Sequence, residues 1–165
     1  MKTTGFNKIF GSGPIGFLLS LLLLFIARWL DLRIDLPRVS ENQFLLNTIF
    51  LVSVLLTLVI IVWSLKSLPV AKRGNQLCTT GAFKYVRHPL YAAFLTVFSF
   101  GLAIYLNSYI YIVWAVLLHP IWAYLIRPEE KLMIDIFGEA YLEYQKKTGR
   151  FVPRLTTKRW RSAGF

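Results

Sequence analysis

The sequence predicts an all-α integral membrane bundle of four transmembrane helices with a cytoplasmic C-terminal amphipathic helix. Three observations carry that expectation. Hydrophobic residues make up 56% of the 165 residues and charged ones 16%, with a mean hydropathy of +0.54. A water-soluble domain carries about 25% charge, so this chain is too poor in charge to cover a water-facing surface. Four apolar runs are near the length that crosses a bilayer, and lysine and arginine are distributed unevenly around them. Composition also excludes a disordered chain and a disulfide scaffold. The single cysteine, Cys78, excludes an internal disulfide and a cysteine-cluster metal site, and no metal is expected.

The expected spans are 14–30, 44–65, 89–106 and 109–126 within a single membrane domain, 1–165. At 1.5 Å per residue the runs reach roughly 24 to 33 Å, about one hydrocarbon core. Lys2 and Lys8 precede the first run, as in a signal peptide, but Arg28 and Trp29 follow it instead of a small-residue cleavage site. It is therefore expected to be retained. The string Gly11-Ser12-Gly13-Pro14-Ile15-Gly16 has no strand before it and reads as a flexible helix start, not a nucleotide loop.

Orientation follows from the basic residues. The loop 66–89 holds Lys66, Lys72, Arg73, Lys84 and Arg87 and no acid. The segment 127–165 holds nine lysines and arginines. Both belong in the cytoplasm, and four crossings place both termini there. Asn107 and Ser108 form an outer hairpin turn. After the fourth run, Met133, Ile136, Phe137, Ala140, Tyr141 and Tyr144 recur at helical spacing, predicting an amphipathic helix that Gly138 weakens. The net charge of +11 points to anionic lipid headgroups, especially at the basic tail, and not to nucleic acid.

Two constellations carry chemistry. Arg87-His88-Pro89-Leu90-Tyr91 stands where the third helix starts. Pro89 suits a first turn, and the amino end of a helix attracts an anion such as a carboxylate. Arg87 and His88 add donors, and Tyr91, Phe83 and Tyr85 offer ring faces to a cation. The plainer reading is a basic membrane anchor with interfacial aromatics. The second constellation is Arg127-Pro128-Glu129-Glu130. The two acids would hold something positive: Arg87, Lys84, the basic tail, or the ammonium or sulfonium of a ligand. They also suit a helix start. His119, before the kinking Pro120, is either a functional intramembrane histidine or a satisfied structural one.

GAFKYVRHPLY followed by EEKLMIDIFGEAYLEYQKKTGRFVP resembles the isoprenylcysteine carboxyl methyltransferase and phospholipid methyltransferase superfamily of integral membrane enzymes. The shared pattern runs through Gly81, Phe83, Arg87 to Tyr91, the Glu129–Glu130 pair, and Phe137-Gly138 with Tyr141 and Tyr144. It covers about the second half of the chain. The resemblance implies S-adenosylmethionine as methyl donor. It implies cofactor contacts from Gln76, Leu77, Cys78, Phe83, His88, Pro89, Leu90 and Tyr91, with Arg87 beside them and Glu129 on the cofactor's amino group. Arg127 and Glu130 are the candidate catalytic residues, with Arg127 placed to orient the acceptor. Leu125 occupies the position of a substrate-binding arginine in the eukaryotic carboxyl methyltransferases, and Arg150-x-x-Pro153 is similar to bacterial-type members. The acceptor would be a lipophilic small molecule or lipid-modified substrate: an isoprenylcysteine-type carboxylate, a thiol or a phospholipid amine. Two alternatives stand beside this one, an NADPH-dependent sterol- or steroid-type membrane reductase and a non-catalytic membrane anchor.

Overall fold

The computed structural model describes residues 12–34, 36–68 and 76–154. The basic flank at Lys2 and Lys8, the middle of the loop 66–89 and the tail beyond Arg154 lie outside the described residues. Helices follow in the order α1 (Gly13–Asp31), α2 (Gln43–Ser67), a 3-10 turn (Gly81–Lys84), α3 (Pro89–Tyr105), α4 (Tyr109–Leu125), α5 (Arg127–Phe137) and α6 (Glu139–Lys147). Among the described residues there is no strand, only a parallel bridge between Val86 and Gly149.

Each expected span coincides with a helix to within two residues. Their lengths differ from expectation. By length and composition, α1 and α2 suffice to cross a membrane alone. With 17 residues, α3 reaches about 25 Å. α4 is equally long and meets α5 at a bend of 40°, and together they are a third candidate. The bend has a local cause: Pro128 disfavours helical geometry at Arg127 and supplies no N–H to continue the ladder of α4. The expected single amphipathic helix is divided at Gly138. Its φ of +54° and ψ of −131° belong to a region open only to glycine, so α5 ends and α6 starts there. Tyr141 and Tyr144 face inward as the periodicity requires, while Ile136 and Ala140 are exposed.

The outer surfaces of α1 and α2 are apolar. Phe25 is 72% exposed and Val59 63%, within long files of exposed leucine and isoleucine. Contiguous exposed apolar surface of this extent suits lipid and not water. Inside, packing relies on small residues and back-bonded hydroxyls, as is usual between helices in lipid. Ser53, Thr57 and Ser64 of α2 are buried and donate to carbonyls of their own helix. Gly101 lets α3 lie against α2, since a Cβ there would stand 1.9 Å from Ser53 Oγ. Within α3, Ala93–Phe98 forms a π-helical segment, with Ser99 Oγ donating to Phe94 O, five residues back, at 2.9 Å.

The contact between α1 and α4 positions the site. Trp122 Nε1 donates to Ser20 Oγ at 2.9 Å, and Trp114 Nε1 to Ser20 O at 3.1 Å. Gly16 admits the Trp122 indole, because a Cβ at residue 16 would stand 2.7 Å from ring carbons. Gly16→Ala is therefore expected to cost about 1–3 kcal/mol through overpacking. A thermal melt in detergent checks this; an unchanged midpoint would mean that the indole yields. At the far end, Tyr111 donates to Asp31 at 3.0 Å, and Asn107 exchanges hydrogen bonds with Ser40. Asn107 makes the expected tight turn with φ of +57°, which asparagine tolerates.

Candidate functional site

The start of α3 is held from below. Arg87 N–H donates to Gly149 O at 2.8 Å and His88 N–H to Arg150 O at 3.2 Å, so the segment after α6 runs beside the residues before Pro89. The 3-10 turn is tied to the end of α2. Gly81 has φ of +58° and leaves no room for a Cβ, which would meet Ser67 Oγ at 2.2 Å. Ser67 Oγ accepts from Ala82 N–H at 3.2 Å, and Cys78 Sγ donates to Ser67 O at 3.4 Å.

Glu129 and Glu130 are neighbours in sequence but face different surroundings, because successive helical residues are rotated by about 100°. Glu130 points inward and is 5% exposed. Arg87 grips its Oε1 through Nε at 2.9 Å and Nη2 at 2.7 Å. Arg150 Nη2 meets Oε2 at 2.6 Å. The Arg87 guanidinium is completed by Thr148 O at 2.5 Å and Gln145 O at 3.3 Å. Burial alone would push the Glu130 carboxyl up; His88, Arg150 and Arg87 outweigh it and hold the group well below the usual carboxylate range. Burial, reinforced by the charge of Glu130, pushes the Tyr141 phenol up to about 12. Burial raises Tyr144 as well, whose hydroxyl donates to Phe83 O at 2.5 Å.

Glu129 faces the partly open side. Tyr91 hydroxyl donates to its Oε1 at 3.1 Å, Ser12 N–H donates to the same oxygen, and His88 Nδ1 stands 4.0 Å from Oε2. The His88 ring is stacked on Tyr91 at 5.6 Å, and Tyr91 leans on Trp122 at 4.9 Å. On its other side His88 meets Phe151 at 6.2 Å. His88 Nε2 is buried 3.5 Å from Glu130 Oε1 yet completes no hydrogen bond.

The structure thus brings together His88, Pro89, Leu90, Tyr91 and Glu129 at one end of the bundle. Arg87 adjoins them, but its guanidinium is engaged by Glu130 and two carbonyls. Among the partners weighed from sequence, Glu130 takes Arg87 and, from the basic tail, Arg150. Phe83 is half-buried in the 3-10 turn, with Leu77 and Cys78 half-buried and Gln76 exposed on the loop before it. Arg127 is apart from the cluster: it is exposed, with its guanidinium 5.0 Å from the Tyr124 ring centre. His119 Nδ1 is 3.1 Å from Ala115 O and its ring meets Phe151 edge-on at 6.4 Å. Two participants escaped the sequence reading. Ser12 sat in a string read as a flexible start. Trp122 stands outside both constellations in sequence.

A family profile described as phospholipid methyltransferase matches residues 39–140. The chain is similar to the protein-S-isoprenylcysteine O-methyltransferase of Schizosaccharomyces pombe, 29% identical over 90 residues, which are 52% of this chain and 38% of that protein. It is also similar to the methanethiol S-methyltransferase of Pseudomonas deceptionensis, 38% identical over 80 residues, 44% of this chain and 27% of that protein. The matched stretches span less than half the length of either relative.

Proposed function

Because the chain belongs to the phospholipid methyltransferase family, we propose that it transfers a methyl group from S-adenosylmethionine to a lipophilic acceptor at the cytoplasmic face of a membrane. The single observation that carries this reading is the pairing of Glu129 with the His88-led start of α3, an acid and an anion-attracting helix end within one small site. A zwitterionic amino-acid group needs both. On this reading α1 to α4 are four spans, both termini are cytoplasmic, and the basic tail meets anionic headgroups.

The donor set fits the cofactor. Glu129 keeps a partly exposed carboxylate for an ammonium group. The amino end of α3, which His88 leads, suits a carboxylate. The face of Tyr91 suits a sulfonium or an adenine ring. Gln76, Leu77, Cys78 and Phe83 would flank the nucleoside. When bound, the cofactor supplies a methyl group already activated on a sulfonium. The chain's residues therefore have to hold, orient and keep water out. Arg87, Glu130 and Arg150 act by fastening the start of α3 to α5 and to the segment after α6. Arg127, exposed at the start of α5, would orient the acceptor. A carboxylate or thiolate acceptor needs no base once ionised. An amine must be neutral, so its rate rises with pH through the amine pKa.

The test is transfer of labelled methyl from S-adenosylmethionine, by purified protein, to a lipid-soluble thiol, an isoprenylcysteine-type carboxylate and a phospholipid amine. Label is expected in one class. No transfer to any class by protein that binds the cofactor would contradict the reading.

A further inference from the structure

The profile match begins at residue 39, so α1 lies outside the stretch by which the family is known. Yet the start of α1 reaches the ligand-facing acid. Ser12 N–H donates to Glu129 Oε1, and Ser12 Oγ donates to Leu125 O at 2.9 Å. Next to it, Gly13 passes close to Tyr91: a Cβ there would stand 3.6 Å from the Tyr91 hydroxyl, itself 3.1 Å from Glu129 Oε1. This arrangement is not a loose end. Gly16 and Ser20 lock α1 to Trp114 and Trp122 of α4, and α5 follows α4 directly.

The chemistry of the two acids differs in a way that matters. Arg87 and Arg150 cancel the charge of Glu130. The donors on Glu129 Oε1 are a backbone amide and a phenol, both neutral. Neutral donors fix a carboxylate without cancelling its charge, and a carboxylate has about four lone-pair sites to share. Oε2 has the longer approaches, 3.5 Å from Tyr91 Oη and 4.0 Å from His88 Nδ1. We propose that the start of α1 is a positioning element of the ligand site: Ser12 N–H, with the Tyr91 hydroxyl, fixes the Glu129 carboxylate so that Oε2 meets the ammonium of an amino-acid-bearing nucleoside ligand. The inference rests on the reading of Glu129 given above. It makes the first helix, which carries no family signature, a determinant of affinity for the amino-acid end of the ligand.

Proline carries no N–H, and Ser12 has φ of −82°, near the proline value. Ser12→Pro therefore removes the donor, whereas Ser12→Ala keeps it and removes only the hydroxyl. Binding is measured calorimetrically with two probes, S-adenosylhomocysteine and methylthioadenosine, the second lacking the amino-acid group. Ser12→Pro is expected to weaken the first about tenfold, the scale of one charge-assisted hydrogen bond, and to leave the second within about twofold. Ser12→Ala keeps the N–H and loses only the Oγ tie to Leu125 O, so it should weaken S-adenosylhomocysteine less than Ser12→Pro does. Equal loss for both probes, or no loss, overturns the inference, since a mere tether for α1 would not distinguish them. Wild-type protein that binds no S-adenosylhomocysteine removes the functional reading and this inference with it; selective loss failing in a wild type that binds removes the inference alone. If Ser12→Pro does not fold, Ser12→Cys serves. S-adenosylhomocysteine should slow maleimide labelling at residue 12, read from the peptide mass, and methylthioadenosine should not. Labelling unaffected by S-adenosylhomocysteine overturns the proposal.

Discussion

Glu130→Ala should destabilise the folded protein by about 3–5 kcal/mol, the usual cost of removing one partner from a buried ion pair. Glu130 is almost wholly enclosed, and so is the Arg87 side chain, 7% exposed. The substitution leaves two guanidinium groups facing each other without their shared carboxylate. The loss would spread, because Arg87 also holds the carbonyls of Gln145 and Thr148, and Arg150 leads into Phe151 against His88. A thermal or denaturant melt in detergent measures it. The pH dependence follows from the same contacts. The folded carboxyl is held below its ordinary value, so its contribution is complete above the unfolded value of about 4.3. It is lost as pH falls through the lower folded value. The gap between wild type and Glu130→Gln should therefore be constant near neutrality and shrink below about pH 4. A gap that widens in acid would show that Arg87 and Arg150 do not hold the carboxylate.

Glu129→Gln should behave in the opposite way. Among the described residues its carboxylate touches only neutral donors at hydrogen-bond distance, and its side chain is 24% exposed, so the melting midpoint should barely move. Affinity for S-adenosylhomocysteine should fall about tenfold to a hundredfold, because a ligand ammonium loses its counter-charge while the amide keeps the shape. Two adjacent glutamates would then separate cleanly, one failing in stability and the other in binding. If Glu129→Gln unfolds the protein while Glu130→Gln only weakens binding, the assignments are reversed.

Much of this was legible in the sequence, for identifiable reasons. The four apolar runs mark their helices because composition alone separates them from the polar joints at Asp31, Ser67 and Asn107. The start of α3 was legible through Pro89, and the inward stripe of α6 through Tyr141 and Tyr144. The break at Gly138 was only half legible: glycine warned of weakness, but its positive φ goes with α6 turning back so that Tyr144 reaches Phe83 O of the 3-10 turn. The division of labour between Glu129 and Glu130 was hidden, since it follows from the direction in which α5 leaves the bend at Pro128. Ser12 was illegible for a similar reason. Its contribution is a backbone amide, and its distance in sequence from Glu129 is bridged by tertiary contacts such as Gly16 and Ser20 packing on Trp122.

The most direct test of the central claim is calorimetric titration of the purified wild-type protein with S-adenosylhomocysteine, with NADPH titrated in parallel. The account predicts saturable one-to-one binding of the first and no heat from the second. No binding of S-adenosylhomocysteine by protein with an intact melting transition, or saturable binding of NADPH in its place, would contradict it.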